Sequence, residues 1–133
     1  MYLVDTNVWL ERLLDQEHSK VAEHFLAKTS TENLFITDFS LHSVAVVLSR
    51  LKQLQVLQQF VYDLFATPSV HLVTLSPNDF DRIIAVMTQY SLDFDDAYQY
   101  VAAERFGLQL VSFDHDFDRT PLRRLHPGEV AQP

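Results

Sequence analysis

The sequence predicts an α/β layered fold with a mostly parallel central sheet. Four short apolar runs, none with a clean period of two, are typical of parallel strands that are covered on both faces. Segments whose apolar residues recur at helical spacing lie between these runs. Strands that alternate with helices indicate a parallel sheet flanked by helices. The chain has 133 residues, enough for one domain and too few for two, so we expect a single domain over 1–133.

The elements follow one another in a regular order along the chain. The predicted strands are residues 2–4, 34–36, 70–73 and 108–111. The predicted helices are residues 21–26, 41–51, 54–65, 80–87 and 93–106. Ser76-Pro77 is a helix-start signal before the fourth helix, and Gly107 is a stop after the fifth. From about residue 120 the chain carries Pro121, Pro127, Gly128 and Pro133, which predict a loosely structured tail.

Composition excludes several classes of function. The formal net charge of −8 argues against a broad basic surface for nucleic acid. The absence of cysteine excludes disulfides, thiolate metal sites and cysteine nucleophiles, and it fits a reducing, cytoplasmic location. Two glycines cannot form either of the glycine-rich phosphate loops. The first residues lack a basic stretch and a long apolar run, so we expect neither a signal peptide nor a membrane helix.

Acidic residues are concentrated where predicted strands and one helix meet the same edge of the sheet. Three short segments contain seven of the 18 acids: Asp5, Asp93, Asp95, Asp96, Asp114, Asp116 and Asp118. Without these seven, eleven acids remain against ten bases, so the three segments account for almost all of the negative charge. Ligands of open parallel sheets bind beyond the carboxyl ends of the strands, which is where two of the segments begin.

Gathered carboxylates repel one another, and this repulsion requires a compensating cation. Hard oxygen ligands without cysteine favour Mg²⁺ or Mn²⁺. Carboxylates that hold such ions are what phosphodiester hydrolysis requires. Each acid also has a purely structural interpretation: Asp5 as a helix cap, Asp96 as a favourable charge at a helix start, and Asp114 as a turn former.

Three motifs in order resemble one known family. They are the run from Leu3 to Asn7 (LVDTN), the pair Asp96-Ala97 at a helix start, and the run from Leu110 to Phe117 (LVSFDHDF). The chain resembles the PIN-domain ribonucleases over nearly its whole length, and especially the VapC-type toxins. The resemblance implies a three-layer α/β/α sandwich and a metal-dependent endoribonuclease that hydrolyses RNA phosphodiester bonds.

The resemblance also implies roles for individual residues and for partners. Asp5, Asp96 and Asp114 match the family's metal-binding acids, and Asp116 matches a frequent additional catalytic acid. Thr6, Asn7 and Ser112 match polar residues that support the site, and we expect Asn7 and Ser112 to contact the substrate. Family members usually form homodimers and are held inactive by a small antitoxin protein.

The sequence departs from the family at one position. The family commonly has a Glu in the helix after the second strand, where simple spacing here places Ser43, with His42 beside it. We assign His42 to the site as a ligand, a phosphate contact or a proton carrier, and the alternative is a buried core histidine. Asp38 lies about one turn too early to replace the Glu.

Arg119, Arg123 and Arg124 form the one basic cluster of the sequence. Arg119 is a candidate phosphate contact beside the acids, and the alternative for all three is a solvated tail.

Two other functions compete with the ribonuclease. The missing Glu is compatible with a degenerate PIN-like module that binds a protein partner or RNA without cleaving it. The segment from Leu110 to Asp116 also resembles the Asp-x-Asp motif of haloacid-dehalogenase-type phosphatases. That motif normally opens the chain, whereas here it lies near the C-terminus.

Overall fold

Within residues 1–130 the central sheet has four strands, and every strand pair is parallel. The computed structural model describes residues 1–130. The strands are β1 Tyr2–Val4, β2 Leu34–Thr37, β3 His71–Val73 and β4 Gln109–Val111. Their order across the sheet is β3-β2-β1-β4. The chain therefore moves outward from β1 to β3 and then returns to the other side of β1, which makes the boundary between β1 and β4 the topological switch point.

In the described part of the chain, six α-helices cover the two faces of this sheet. They are α1 Thr6–Leu13, α2 Ser19–Lys28, α3 Asp38–Arg50, α4 Leu54–Phe65, α5 Phe80–Tyr90 and α6 Phe94–Phe106. Leu3 and Leu110 belong to a buried cluster with α5 and α6, whereas Val4 and Val111 belong to a second cluster with α1 to α4. Neighbouring strand residues thus point into opposite cores. The predicted three-layer α/β/α sandwich is confirmed.

Local signals set the helix ends that the sequence predicts. Ser76 and Asp79 form a capping box before α5, with Pro77 in the first turn between them. Gly107 ends α6 in the left-handed region, with φ of 64°, where glycine carries no steric penalty. Asp5 accepts a hydrogen bond from the Thr6 backbone N–H and caps α1, so its predicted structural role is present.

Strand β3 is more exposed to solvent than the sequence predicts. The sequence predicts strands with both faces covered, but His71 and Leu72 are exposed, Leu72 at 49%. Among residues 1–130, β3 is an edge strand with no further strand on its outer side.

The segment after residue 120 is attached to the sheet, in contrast to the predicted loose tail. The Leu125 N–H donates to the Leu110 carbonyl at 2.8 Å, and the Ser112 N–H donates to the Leu125 carbonyl at 2.9 Å. Pro127 and Val130 are buried. Backbone hydrogen bonds beside β4 hold this segment in place, although its proline and glycine content predicted a loosely structured tail. Residues 131–133, and with them Pro133, lie outside the described residues.

Within residues 1–130, none of the helices combines the length and the apolar character that spanning a lipid bilayer requires.

Candidate metal centre

The predicted acids meet in one pocket at the carboxyl edge of the sheet. Asp5 follows β1, Asp114 lies three residues after β4, and Asp96 lies in the first turn of α6. All three line a cavity of about 220 Å³. The other lining residues are Thr6, Asn7, Leu10, Phe39, Ser43, Asp95 and Gln99. Asp5 therefore lies beside carboxylates that are more than ninety residues away in the sequence.

Three carboxylates have the spacing of a metal site. Asp96, Asp114 and Asp116 each offer one oxygen, and these oxygens all lie within 4.8 Å of one another. Such a set of hard oxygen ligands suits Mg²⁺ or Mn²⁺. The ligand set expected from the sequence was Asp5, Asp96 and Asp114. This cluster contains two of them together with Asp116, and Asp5 lines the same pocket.

Asp5 lies at the base of the pocket, where protein donors already occupy both of its oxygens. Oδ1 accepts from the Thr6 backbone N–H at 2.9 Å and from Gln99 Nε2 at 3.0 Å. Oδ2 accepts from Ser112 Oγ at 2.7 Å and from Asn7 Nδ2 at 3.4 Å. Asp5 is 5% exposed, and this burial raises its pKa against the lowering effect of the hydrogen bonds. Asp5 thus connects Thr6, Asn7, Gln99 and Ser112 through hydrogen bonds.

Gln99 is a residue of the site that the sequence analysis missed. Its side chain is 1% exposed and donates to Asp5 and to Ser40 Oγ at 2.8 Å. Its Oε1 accepts from Thr37 Oγ1 at 2.7 Å. Gln99 therefore joins α6, β1 and the start of α3. The available signal was its position one turn after Asp96, as a polar residue within an apolar stretch of α6.

The surroundings of Asp96 in the pocket strongly raise the pKa of its carboxyl group. Burial, and after it the charges of Asp114, Asp95, Asp5 and Asp116, together raise its pKa to about 8. A carboxyl group in this environment takes up a proton near neutral pH unless a cation compensates the surrounding charge. A divalent cation would compensate the negative charge of these oxygen donors, so the set suits such an ion.

Asn7 and Ser112 connect the ends of β1 and β4. Ser112 Oγ donates to Asp5, and it accepts from Asn7 Nδ2 at 3.1 Å and from the Asp114 N–H at 2.9 Å. Asn7 Oδ1 accepts from the Phe113 N–H at 3.2 Å. The two side chains that we expected to contact substrate are thus occupied in orienting the acids.

Arg119 lies beside the acidic cluster and is also paired. Its guanidinium donates to Asp116 Oδ1 at 2.7 Å and to the Ser91 carbonyl. Asp116 therefore has a cationic neighbour that partly offsets its charge. The phosphate contact that the sequence predicts for Arg119 requires the guanidinium to leave or share this ion pair.

The guanidinium of Arg124 is hydrogen-bonded to other groups of the protein. It is 8% exposed, and it donates to both oxygens of Asp118 at 3.1 Å and to the Ser112 carbonyl at 2.9 Å. Arg123 is exposed. The solvated-tail interpretation of the basic cluster is therefore wrong for Arg124, because the Asp118 carboxylate and a backbone carbonyl hold it.

The structure separates His42 from the metal centre. Ser43 lines the acidic pocket, whereas His42 is exposed and lines a neighbouring cavity. Consecutive residues of a helix point about 100° apart, so only one of them can face the acids. His42 is not among the residues of the pocket that holds Asp5, Asp96 and Asp114, and it is not the buried core histidine that was its alternative.

Comparison with known proteins agrees with this arrangement. The family model for the PIN domain matches residues 2–122. In a sequence comparison, no curated protein matches the chain. Membership of the PIN family leaves the phosphatase alternative without support.

Several solved structures share the fold. A toxin–antitoxin complex from Klebsiella pneumoniae has a chain with a TM-score of 0.77 and 21% identity, covering 98% of this chain and 100% of that one. VapC20 of Mycobacterium tuberculosis, described as a toxin that cleaves the sarcin–ricin loop, has a TM-score of 0.81 and 16% identity, with coverage of 96% and 100%.

VapBC2 of Rickettsia felis, bound to a DNA fragment from its promoter, has a TM-score of 0.73 and 16% identity, with coverage of 94% and 96%. At these identities the similarity concerns the fold, whereas the family model concerns the sequence. With a family match over residues 2–122 and an acidic pocket at the switch point of a parallel sheet, this chain belongs to the PIN domain family.

Proposed function

We propose that the protein is a metal-dependent endoribonuclease that hydrolyses RNA phosphodiester bonds with Mg²⁺ or Mn²⁺. The observation that carries this proposal is the set of Asp96, Asp114 and Asp116 oxygens within 4.8 Å of one another. When bound, a divalent ion supplies Lewis-acid activation of water and neutralises the phosphodiester charge. Asp96, Asp114 and Asp116 would hold it, in an all-oxygen environment whose excess negative charge favours a cation.

The chain's own residues keep these ligands in place. The Ser112 hydroxyl accepts from the Asp114 N–H and donates to Asp5, so Asp5 orients Asp114 through Ser112. Asp114 Oδ1 in turn accepts from the Asp116 N–H at 2.8 Å. Because this chain of hydrogen bonds runs from the buried end of β1 to the cluster, Asp5 is a positioning residue in our proposal.

Replacing Asp114 with Asn tests the proposed chemistry. In single-turnover cleavage of RNA with Mn²⁺, we expect the wild-type protein to cut and Asp114→Asn to be slower by about 100-fold or more, because one anionic ligand is lost. Asp93→Asn, in the neighbouring acidic segment but exposed and outside the cluster, is the matched control and should retain the wild-type rate. Equal rates for wild type and Asp114→Asn would show that the assignment is wrong.

The second candidate is a module that binds a protein or RNA without cutting. Ser43 lines the pocket with a hydroxyl where the family commonly has a carboxylate, and this observation favours the second candidate. Calorimetric titration with Mn²⁺ separates the two functions. If titration to millimolar Mn²⁺ produces no heat of binding, the result supports the non-cutting module and contradicts the nuclease.

We also propose that this nuclease acts in the cytoplasm as the toxin of a toxin–antitoxin pair, as a homodimer that an antitoxin protein holds inactive. The family match and the similarity to a toxin–antitoxin complex from Klebsiella pneumoniae and to VapBC2 of Rickettsia felis support this role. Exposed apolar side chains of β3 and α5, Leu72, Phe80 and Ile84, support self-association. Light scattering should give the mass of two chains, and a monomer at assay concentrations contradicts the homodimer.

A further inference from the structure

A second cavity opens directly beside the metal centre. It has a volume of about 510 Å³, within the range of pockets that hold small organic groups. Phe39 and Ser43 line both this cavity and the acidic pocket, so the two spaces adjoin at these side chains. The remaining lining residues are Asp38, His42, Val46, Val47 and Tyr98.

Asp38 presents one free acceptor in this cavity. Its Oδ1 accepts from the Phe39 N–H at 2.9 Å and from the Tyr98 hydroxyl at 2.6 Å. Burial and the bond to Asp38 raise the pKa of Tyr98 to about 12, so the hydroxyl remains a donor at neutral pH. Among residues 1–130, no donor reaches Asp38 Oδ2. The carboxylate is thus held at one oxygen and open at the other.

The same cavity offers flat, partly fixed surfaces. The ring of Phe39 packs against the rings of Tyr98 and Phe94, with centroid distances of 5.5 Å and 6.0 Å respectively. These contacts restrict the orientation of the Phe39 ring. His42 is exposed one turn after Asp38 on α3, which places the imidazole and the carboxylate on the same face of the helix. An aromatic wall next to a hydrogen-bonding group is how proteins bind unstacked nucleobases.

We infer that this cavity is a nucleobase subsite, in which Phe39 and His42 stack on a base next to the scissile phosphate and Asp38 Oδ2 accepts a hydrogen bond from its amino group. Cytosine, adenine and guanine carry an exocyclic amino donor. Uracil has no amino group, and its one ring donor, N3–H, lies between two carbonyl oxygens that the carboxylate repels. The inference rests on the proposed ribonuclease function and adds a specificity: at one position flanking the cut, bases with an amino group are preferred over uracil.

Asp38→Asn reverses the hydrogen-bonding character of this position. The Asn oxygen can still accept from the Phe39 N–H and the Tyr98 hydroxyl, while the amide NH₂ places a donor where Oδ2 was an acceptor. A donor favours the uracil carbonyl oxygen. Asp38→Ala removes the acceptor without adding a donor, so it should abolish the preference without reversing it.

The test is cleavage of a pool of single-stranded RNA oligonucleotides with a randomised central region, with Mn²⁺, followed by sequencing of the cut ends. For the wild type we expect about tenfold fewer cuts with uracil at one flanking position, since one charge-assisted hydrogen bond is at stake. Asp38→Asn should move that position toward uracil, and Asp38→Ala should make it indifferent. Asp81→Asn, an exposed acid in the first turn of α5, is the matched control and should keep the wild-type profile.

The outcomes separate this inference from the function on which it rests. If the wild type cuts the pool and all four proteins give the same base profile, the subsite is overturned and the nuclease stands. If the wild type does not cut, the proposed function fails and the subsite fails with it. Thermal unfolding of each variant, measured in parallel, identifies a profile change caused by misfolding, since only a folded variant with a shifted profile supports the inference.

Discussion

Replacing Asp96 with Asn is expected to abolish RNA cleavage and, without metal, to stabilise the protein at pH 8. Burial and the neighbouring acids raise the pKa of Asp96 from 3.8 to about 8 in the folded state. Between these two values the folded state binds more protons than the unfolded state, so the free energy of unfolding decreases as pH rises from about 4 to about 8. Asn carries no charge and removes this penalty.

We expect a gain of about 2 kcal/mol for Asp96→Asn at pH 8 in EDTA and a much smaller difference at pH 4, where the carboxyl is protonated. Urea unfolding at the two pH values measures it. Asp93→Asn, exposed and three residues away, should show no such gain. A variant that is less stable than wild type at pH 8 would contradict the electrostatic description of the pocket.

Magnesium should reverse the order of stabilities. A cation that binds only the folded protein stabilises it by an amount that grows with the logarithm of cation concentration over Kd, and Asp96→Asn lacks one ligand for it. We therefore expect Mg²⁺ to raise the midpoint of unfolding of the wild type at pH 8 and to leave that of Asp96→Asn nearly unchanged. An equal rise in both proteins would mean that the ion binds elsewhere.

Replacing Gln99 with Leu is expected to destabilise the protein by about 3 kcal/mol, since a fully buried polar network loses its centre. Gln99 is 1% exposed, and its amide joins Asp5, Ser40 and Thr37. Leu has a similar volume and fills the space, so the loss measures the unpaired polar groups rather than a cavity. The affected carboxylate, Asp5, is also the residue that orients Asp114 through Ser112.

Gln89→Leu is the matched control, because Gln89 lies in the helix α5 but is exposed. It should change the free energy of unfolding by less than about 0.5 kcal/mol. If Gln99→Leu unfolds at the same urea concentration as the wild type, the network does not contribute to stability. A folded Gln99→Leu should also cleave RNA more slowly than Gln89→Leu, which a purely structural role for Gln99 does not predict.

Much of the fold was predictable because its determinants are local. Short apolar runs marked the four strands, and Ser76-Pro77 and Gly107 marked helix ends, since hydrogen bonds within a few residues decide them. The segment after residue 120 was mispredicted because the bonds of Leu125 go to β4, and composition carries no information about such a distant partner.

The sequence by itself predicted that Asp5, Asp96 and Asp114 meet at one edge of the sheet. Parallel strands carry Asp5 and Asp114 to the same side, and the resemblance to the family adds Asp96 at a helix start. Only the tertiary structure decided which way each side chain points. In the folded protein Gln99 and Ser112 donate hydrogen bonds to Asp5. Asp116 lies in the carboxylate cluster, and His42 lines a neighbouring cavity. Side-chain direction and burial depend on packing between distant elements, and the spacing of residues in a sequence does not specify that packing.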